Sequence, residues 1–264
     1  MIRYLRIGMN FRKERLSLSQ TVAAVIVMQE LLHGTGIVLL YFIAAASLML
    51  TLRRLIRIPD ELFRKILHSI LLISYIPFAF AFETWWRSVL LTVIMEIAIY
   101  PLLALAERLP VFSSFVNERK HGEFKQSLIL AFSMLAFCNT VCWGLLGDKY
   151  LGLACMYAWG VGDAFAALIG KRFGRHKITW KYADSRKSME GTAAMFVTSA
   201  IAVACVLLAH NHLPWPAYIV IPVAGAGAAA VVELISKNGL DTVTCPTAAL
   251  AVMIPLTALF GGFV

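Results

Sequence analysis

Eight apolar runs follow one another along this chain, each close to the ~20 residues an α-helix needs to cross a hydrocarbon core. They lie at about 36–52, 64–82, 86–106, 126–146, 150–170, 190–209, 215–236 and 243–263. Composition agrees with that pattern. Of the 264 residues 60% are hydrophobic and only 15% charged, and the mean hydropathy is +0.77, beyond what a soluble core of this length requires. The polar connections are too short to hold a soluble domain. The expected fold is therefore all-α: a polytopic membrane helix bundle of about eight transmembrane helices. A basic arm at 1–20 precedes a single transmembrane catalytic domain at 21–264.

The net charge of +9 sits in clusters between the runs. The connections around 53–65, 107–125 and 171–189 hold nearly all the internal Lys and Arg, whereas 83–85, 147–149 and 210–214 are short and nearly free of them. With eight spans the basic set falls on one side, and the positive-inside rule makes that side cytoplasmic. Such loops attract anionic headgroups and nucleotides, and they give no reason to expect nucleic acid. The arm (Arg3, Arg6, Arg12, Lys13, Arg15) conflicts with this orientation unless 21–34 dips into the membrane or forms a ninth span. The patch at 22–28 is also readable as an interfacial helix or as the start of a long first span. It makes a poor signal-peptide core, because no small-x-small cleavage site follows.

The five cysteines lie in or beside apolar runs without a CxxC pair, which favours packing over metal or disulfide chemistry. Trp85, Trp86, Trp215 and Tyr218 fall at span ends, the depth that amphipathic rings prefer.

Ionisable groups in or at the ends of spans need a partner or a purpose. The densest stretch is Gly160–Thr192. It opens on Asp163 inside an apolar run, passes through Lys171, Arg172, Gly174, Arg175 and Lys177, and closes on Lys187, Ser188, Glu190 and Thr192. Asp163 sits among small residues that permit close approach, and its carboxylate suits a hard divalent cation such as Mg²⁺, which usually bridges to phosphates. A helix N-terminus beside a lysine makes a phosphate cradle, although the G-x4-G-K-[ST] spacing of soluble nucleotide-binding loops is absent. Glu190 and Thr192 either cap the helix or serve the metal. Glu233 and Asp241 supply further acids on the same side, and paired carboxylates facing a basic loop suit metal-assisted phosphoryl transfer.

Two other segments mix charges at span entries. DELFRKILH (60–68) starts as a capped helix, with Asp60 as cap and Glu61 in its first turn, and carries Arg64, Lys65 and His68 at spacings that share a face. Headgroup anchoring for the bases and packing for His68 compete with a role in the site. In NERKHGEFKQS (117–127), Glu118, Arg119 and Glu123 matter only if they turn back to a shared site.

In this order, FRKILH, ERKHGE, GDAFAALIGKRFGRHKI, KSMEGT and VELIS with LDTVTCP resemble the polyprenol kinase family, over roughly residues 60–250. The resemblance implies an integral-membrane kinase that moves the terminal phosphate of a nucleoside triphosphate, commonly CTP, to a lipid alcohol such as diacylglycerol or a polyprenol with a divalent cation. By position, Asp163, Lys187, Glu190, Glu233 and Asp241 match its acidic and basic site positions, and Arg172, Gly174 and Lys177 its nucleotide-side loop. Met189 stands where the family varies among apolar residues.

The mechanism this implies has Asp163 and Asp241, with Glu233 or Glu190, holding Mg²⁺ against the triphosphate. Lys187, Ser188, Arg172 and Lys177 bind its oxygens, and the lipid hydroxyl enters from the bilayer. One carboxylate accepts the hydroxyl proton; the sequence leaves open which. Two other readings stand beside it. Part of the pattern is similar to phosphatidate cytidylyltransferase, which would transfer CMP from CTP to a phospholipid; NGLDTVTCP, in place of that family's C-terminal signature, favours the kinase. An ion-coupled transporter would expect its acids near mid-membrane, whereas these cluster at one end.

Overall fold

The computed structural model describes residues 2–56, 58–106, 108, 122–180, 187–210, 212–236 and 239–263. Glu118 and Arg119, and the side chains of Asp60, Glu61 and Glu123, lie outside the described residues, as do the side chains of the basic arm.

The described residues are helical and form no strand. We number the helices α1 (Ile2–Leu55), α2 (Asp60–Ile73), α3 (Tyr75–Phe80), α4 (Trp85–Ala106), α5 (Glu123–Cys138), α6 (Lys149–Phe173), α7 (Met189–His210), α8 (Ala217–Ile235) and α9 (Asp241–Leu259). Eight segments are long and apolar enough to cross a membrane, with α2 and α3 forming one of them. α5 continues through a π-helical turn at Asn139–Leu145, and Asp148 then caps α6 by accepting from the backbone N–H groups of Tyr150 (2.9 Å) and Leu151 (3.1 Å).

The first span differs from two of the sequence readings. α1 runs unbroken from Ile2 to Leu55, so 21–34 is neither a re-entrant segment nor a separate ninth span but part of one long first helix. At 1.5 Å per residue it is about 80 Å long, well beyond a ~30 Å hydrocarbon core. Glu30 pairs with Arg87 at the start of α4 and accepts from the Glu83 backbone N–H at 2.9 Å. These bonds fix α1 to the bundle end remote from the basic loops.

Lipid tails are as apolar as leucine, so burying leucine between membrane helices brings little hydrophobic gain, and close packing of small residues takes its place. Outward-facing side chains are accordingly large and apolar, such as Leu40, Ile97, Ile201 and Ile219. Inside, α6 packs chiefly on α7, and α7, α8 and α9 complete a closed set around it. A Cβ on Gly162 would come within 2.2 Å of Ser199 Oγ, and one on Gly191 within 3.0 Å of the Ala166 carbonyl oxygen. Ser199 Oγ donates to the Ala158 carbonyl at 2.5 Å, joining α7 to α6. Cys138, Cys142, Cys155 and Cys245 are buried free thiols and Cys205 is exposed.

Candidate active site

The charged residues of four helices meet at the end of the bundle that carries the connections 56–59, 174–188 and 236–240. α2 leaves Pro59 as its N-cap residue and presents Lys65. The Lys65 ammonium forms a salt bridge with the Asp163 carboxylate on α6. The two side chains are 16% and 20% exposed, dry enough for each charge to need the other.

The connection after α6 folds back on itself. Ile178 N–H donates to the Lys187 carbonyl at 3.1 Å and Met189 N–H to the His176 carbonyl at 3.0 Å, around an antiparallel bridge between Lys177 and Ser188. Ser188 is buried, and its Oγ accepts the Gly191 N–H at 3.2 Å, so it caps α7. Glycine lets this turn close: a Cβ on Gly174 would stand 2.1 Å from the Gly170 carbonyl oxygen and 2.5 Å from Ser188 Oγ. Glu190, in the first turn of α7, accepts from His176 Nδ1 at 2.7 Å and from the His176 backbone N–H at 3.2 Å, which pins the returning strand of chain.

Lys187, delivered by that turn, reaches the C-terminus of α8. Its ammonium bonds Glu233 Oε1 at 2.8 Å, the Glu233 carbonyl oxygen, and the Ser236 carbonyl oxygen at 3.2 Å. A cation at a helix C-terminus satisfies carbonyls that the helix leaves unpaired. Asp241 opens α9, where a carboxylate meets the positive end of the helix. It forms no salt bridge among the described residues. It is close enough to feel the attraction of Lys65 and Lys187 and the repulsion of Asp163, and Glu233 the attraction of Lys187 and the repulsion of Asp163 and Asp241. The buried indole N–H of Trp159 interacts with the Asp241 carboxylate without reaching full hydrogen-bond geometry.

The arrangement thus brings together Lys65, Asp163, Lys187, Glu233 and Asp241, with His68 an electrostatic neighbour of Asp163. Arg172 near the end of α6 and Lys177 in the connection after it are exposed, and Arg64 is half-buried on α2. Glu190 faces His176, accepting from both its ring and its backbone N–H. Among the described residues no three His, Cys, Asp or Glu side chains gather closely enough to hold a metal ion. Asp163, Glu233 and Asp241 therefore do not form a three-acid cage, because lysines take up two of them. Sequence reasoning did not single out Trp159, His176 or Ser236: the indole lies in a plain apolar run, and the other two stand inside the GKRFGRHKI and VELIS segments with no charge pattern of their own to mark them.

Phytol kinase from Synechocystis sp. is 30% identical to this chain over 223 residues, which is 81% of this chain and 87% of that protein. The chain belongs to the polyprenol kinase family. A probable chloroplastic phytol kinase from Triticum aestivum is 30% identical over 155 residues, 56% of this chain and 49% of that protein. Dolichol kinase from Saccharomyces cerevisiae is 37% identical over 105 residues, 38% of this chain and 18% of that protein. No family model matches the chain, and no solved structure does. With its apolar helices, this polyprenol kinase family member is an integral-membrane lipid kinase.

Proposed function

We propose that the chain transfers the terminal phosphate of CTP to the hydroxyl of a prenol-type lipid alcohol, at the cytoplasmic membrane surface. The observation that carries this reading is the convergence of Lys65, Lys187, Asp163, Glu233 and Asp241 at one bundle end, beneath exposed Arg172 and Lys177. The relatives, a phytol kinase and a dolichol kinase, favour a prenol over diacylglycerol as acceptor. The basic loops at this end favour the cytoplasmic side.

Phosphoryl transfer asks the protein to position the reactants and neutralise charge. Lys65 and Lys187 supply two held ammonium groups, each close enough to a carboxylate to change partners when phosphate oxygens arrive. Arg172 and Lys177 collect the triphosphate. The donor set also fits Mg²⁺: the ion keeps several waters and takes one or two carboxylates together with substrate phosphates. Asp163 and Asp241, electrostatic neighbours with hard oxygen donors, would hold it. When bound it neutralises phosphate charge.

The test supplies CTP labelled either in the γ-phosphate or in the cytidine, with phytol in mixed micelles and Mg²⁺. The γ-label is expected on the lipid. Cytidine label on a lipid, with release of pyrophosphate, would replace this reading with cytidylyl transfer. Substituting ATP or GTP tests the choice of nucleotide, and diacylglycerol the choice of acceptor.

A further inference from the structure

We propose that the cavity between α1, α2 and α5 holds the hydroxyl-proximal carbons of the acceptor alcohol, with His68 accepting the hydroxyl's hydrogen bond. This rests on the reading of the chain as a lipid-alcohol kinase, and it names where that substrate sits.

The cavity measures about 160 Å³. α1 contributes Ala45, Ala46 and Met49, α2 contributes Leu67 and Leu71, and α5 contributes Leu128. The α1 residues recur at helical spacing, so one face of that helix forms the wall, and its two alanines leave the room. On the outer side of α1, Ile43 and Leu48 are exposed, as lipid-facing residues are. A cavity of about 150 Å³ lined by aliphatic side chains accommodates a six-carbon ring. The space therefore suits five or six carbons, with the remaining chain leaving into the bilayer beside α1.

Among the described lining residues two are polar, His68 and Ser127. His68 Nδ1 lies 3.1 Å from the Arg64 carbonyl oxygen. A carbonyl only accepts, so Nδ1 carries the proton and Nε2 of the neutral ring is left as an acceptor. Nε2 makes no hydrogen bond among the described residues, and His68 lines the cavity. His68 shares its helix face with Lys65, three residues earlier, whose ammonium holds Asp163. A hydroxyl held at His68 thus lies next to the paired charges proposed to meet the phosphates. Among the described residues no charged side chain lines the cavity, which suits an apolar chain carrying a single hydroxyl.

Two measurements decide this. The first uses no nucleotide: a long-chain aliphatic alcohol bearing a diazirine on its fifth carbon is photolysed with the full-length protein in nanodiscs. Labelling is expected within 42–49 or 67–71, with competition by excess phytol; labelling confined to other segments overturns the cavity assignment. Ala46→Phe, which fills the space, is expected to cut that labelling at least tenfold. It should also raise the phytol KM about tenfold and leave the nucleotide KM unchanged. Ile43→Phe on the lipid side should change neither, and equal effects of the two substitutions would sink the proposal. The second measurement concerns His68. His68→Ala is expected to lower kcat with phytol at least tenfold without changing the nucleotide KM, and His68→Gln, which restores an acceptor, to recover much of it. Wild-type rates in His68→Ala would overturn its role. If the cavity is labelled while no lipid alcohol is phosphorylated, the site stands as an alcohol-binding site and the kinase reading falls.

Discussion

Two ends of one bundle hold semi-buried ion pairs, and they do different things with them. At the end remote from the basic loops, Glu30 on α1 meets Arg87 on α4, with side chains 12% and 11% exposed. Glu30 also accepts the Glu83 backbone N–H, and the Arg87 guanidinium stacks 5.2 Å from the Trp86 ring centroid. One acid meets one base, and the pair stitches a peripheral helix to the bundle. At the other end, Asp163, Glu233 and Asp241 share two lysines, Lys65 and Lys187, and each carboxylate interacts with at least one of the other two. An ion pair inside a membrane protein is therefore not itself a sign of a site. Acids in excess of their buried bases, brought together from helices far apart in sequence and open to a basic loop, are.

The largest effect that would sharpen this contrast is at Asp163. Asp163→Asn removes a charge the transition state requires, and phosphate transfer should fall about 10³-fold, roughly 4 kcal/mol. Size-exclusion profiles should stay those of the wild type. Activity within a few-fold of normal would reduce the Lys65–Asp163 pair to the same stitching role as Glu30–Arg87.

Next comes Lys187→Ala, expected to raise the nucleotide KM by about 10²-fold, as loss of a charge-assisted phosphate contact would. It also removes three bonds at the α8 C-terminus, so a thermal melt run in parallel separates instability from weakened binding. At the remote end, Glu30→Gln should do the reverse. Leaving Arg87 without its acid should lower stability by about 3 kcal/mol, seen as earlier unfolding in detergent, while kcat/KM below the melting transition remains within about twofold. A large loss of turnover there would abolish the distinction between the two ends.

Gly174→Ala should have an intermediate effect, about tenfold on turnover, because its Cβ meets a backbone oxygen at 2.1 Å and the turn that delivers Lys187 must shift. The smallest effect is expected at Glu190. Glu190→Gln keeps an acceptor for His176, so a change of no more than about threefold is expected, and a hundredfold loss would return Glu190 to the reacting centre.

Much of the bundle was legible because its rules are local. A span reads as a run of some twenty apolar residues, and the structure keeps every run, moving only their ends. The first was the exception: 21–34 read equally as a re-entrant segment, a ninth span or the start of a long first span, and the helix runs straight through it, with Glu30 finding its base on α4. Asp163 was visible for the same local reason, an acid alone in apolar sequence. Its partner was not. Lys65 sat in a basic segment whose headgroup-anchoring role was equally good, and nothing in 98 residues of separation says which base turns inward. Ser188 read as a phosphate ligand beside Lys187; the fold adds that its Oγ accepts the Gly191 N–H and caps α7.

The sequence by itself determined that this chain crosses a membrane as helices, which ends share the basic loops, and which acids require an explanation. Those follow from the cost of unpaired polar groups in hydrocarbon, a property of each segment alone. Only the tertiary structure decided that Lys65 belongs to Asp163 and Lys187 to Glu233, that Asp241 forms no salt bridge among the described residues, and that an apolar cavity opens beside His68. Those follow from how closely glycine and alanine faces let α6, α7 and α1 approach their neighbours, which depends on pairs of helices rather than on any one of them.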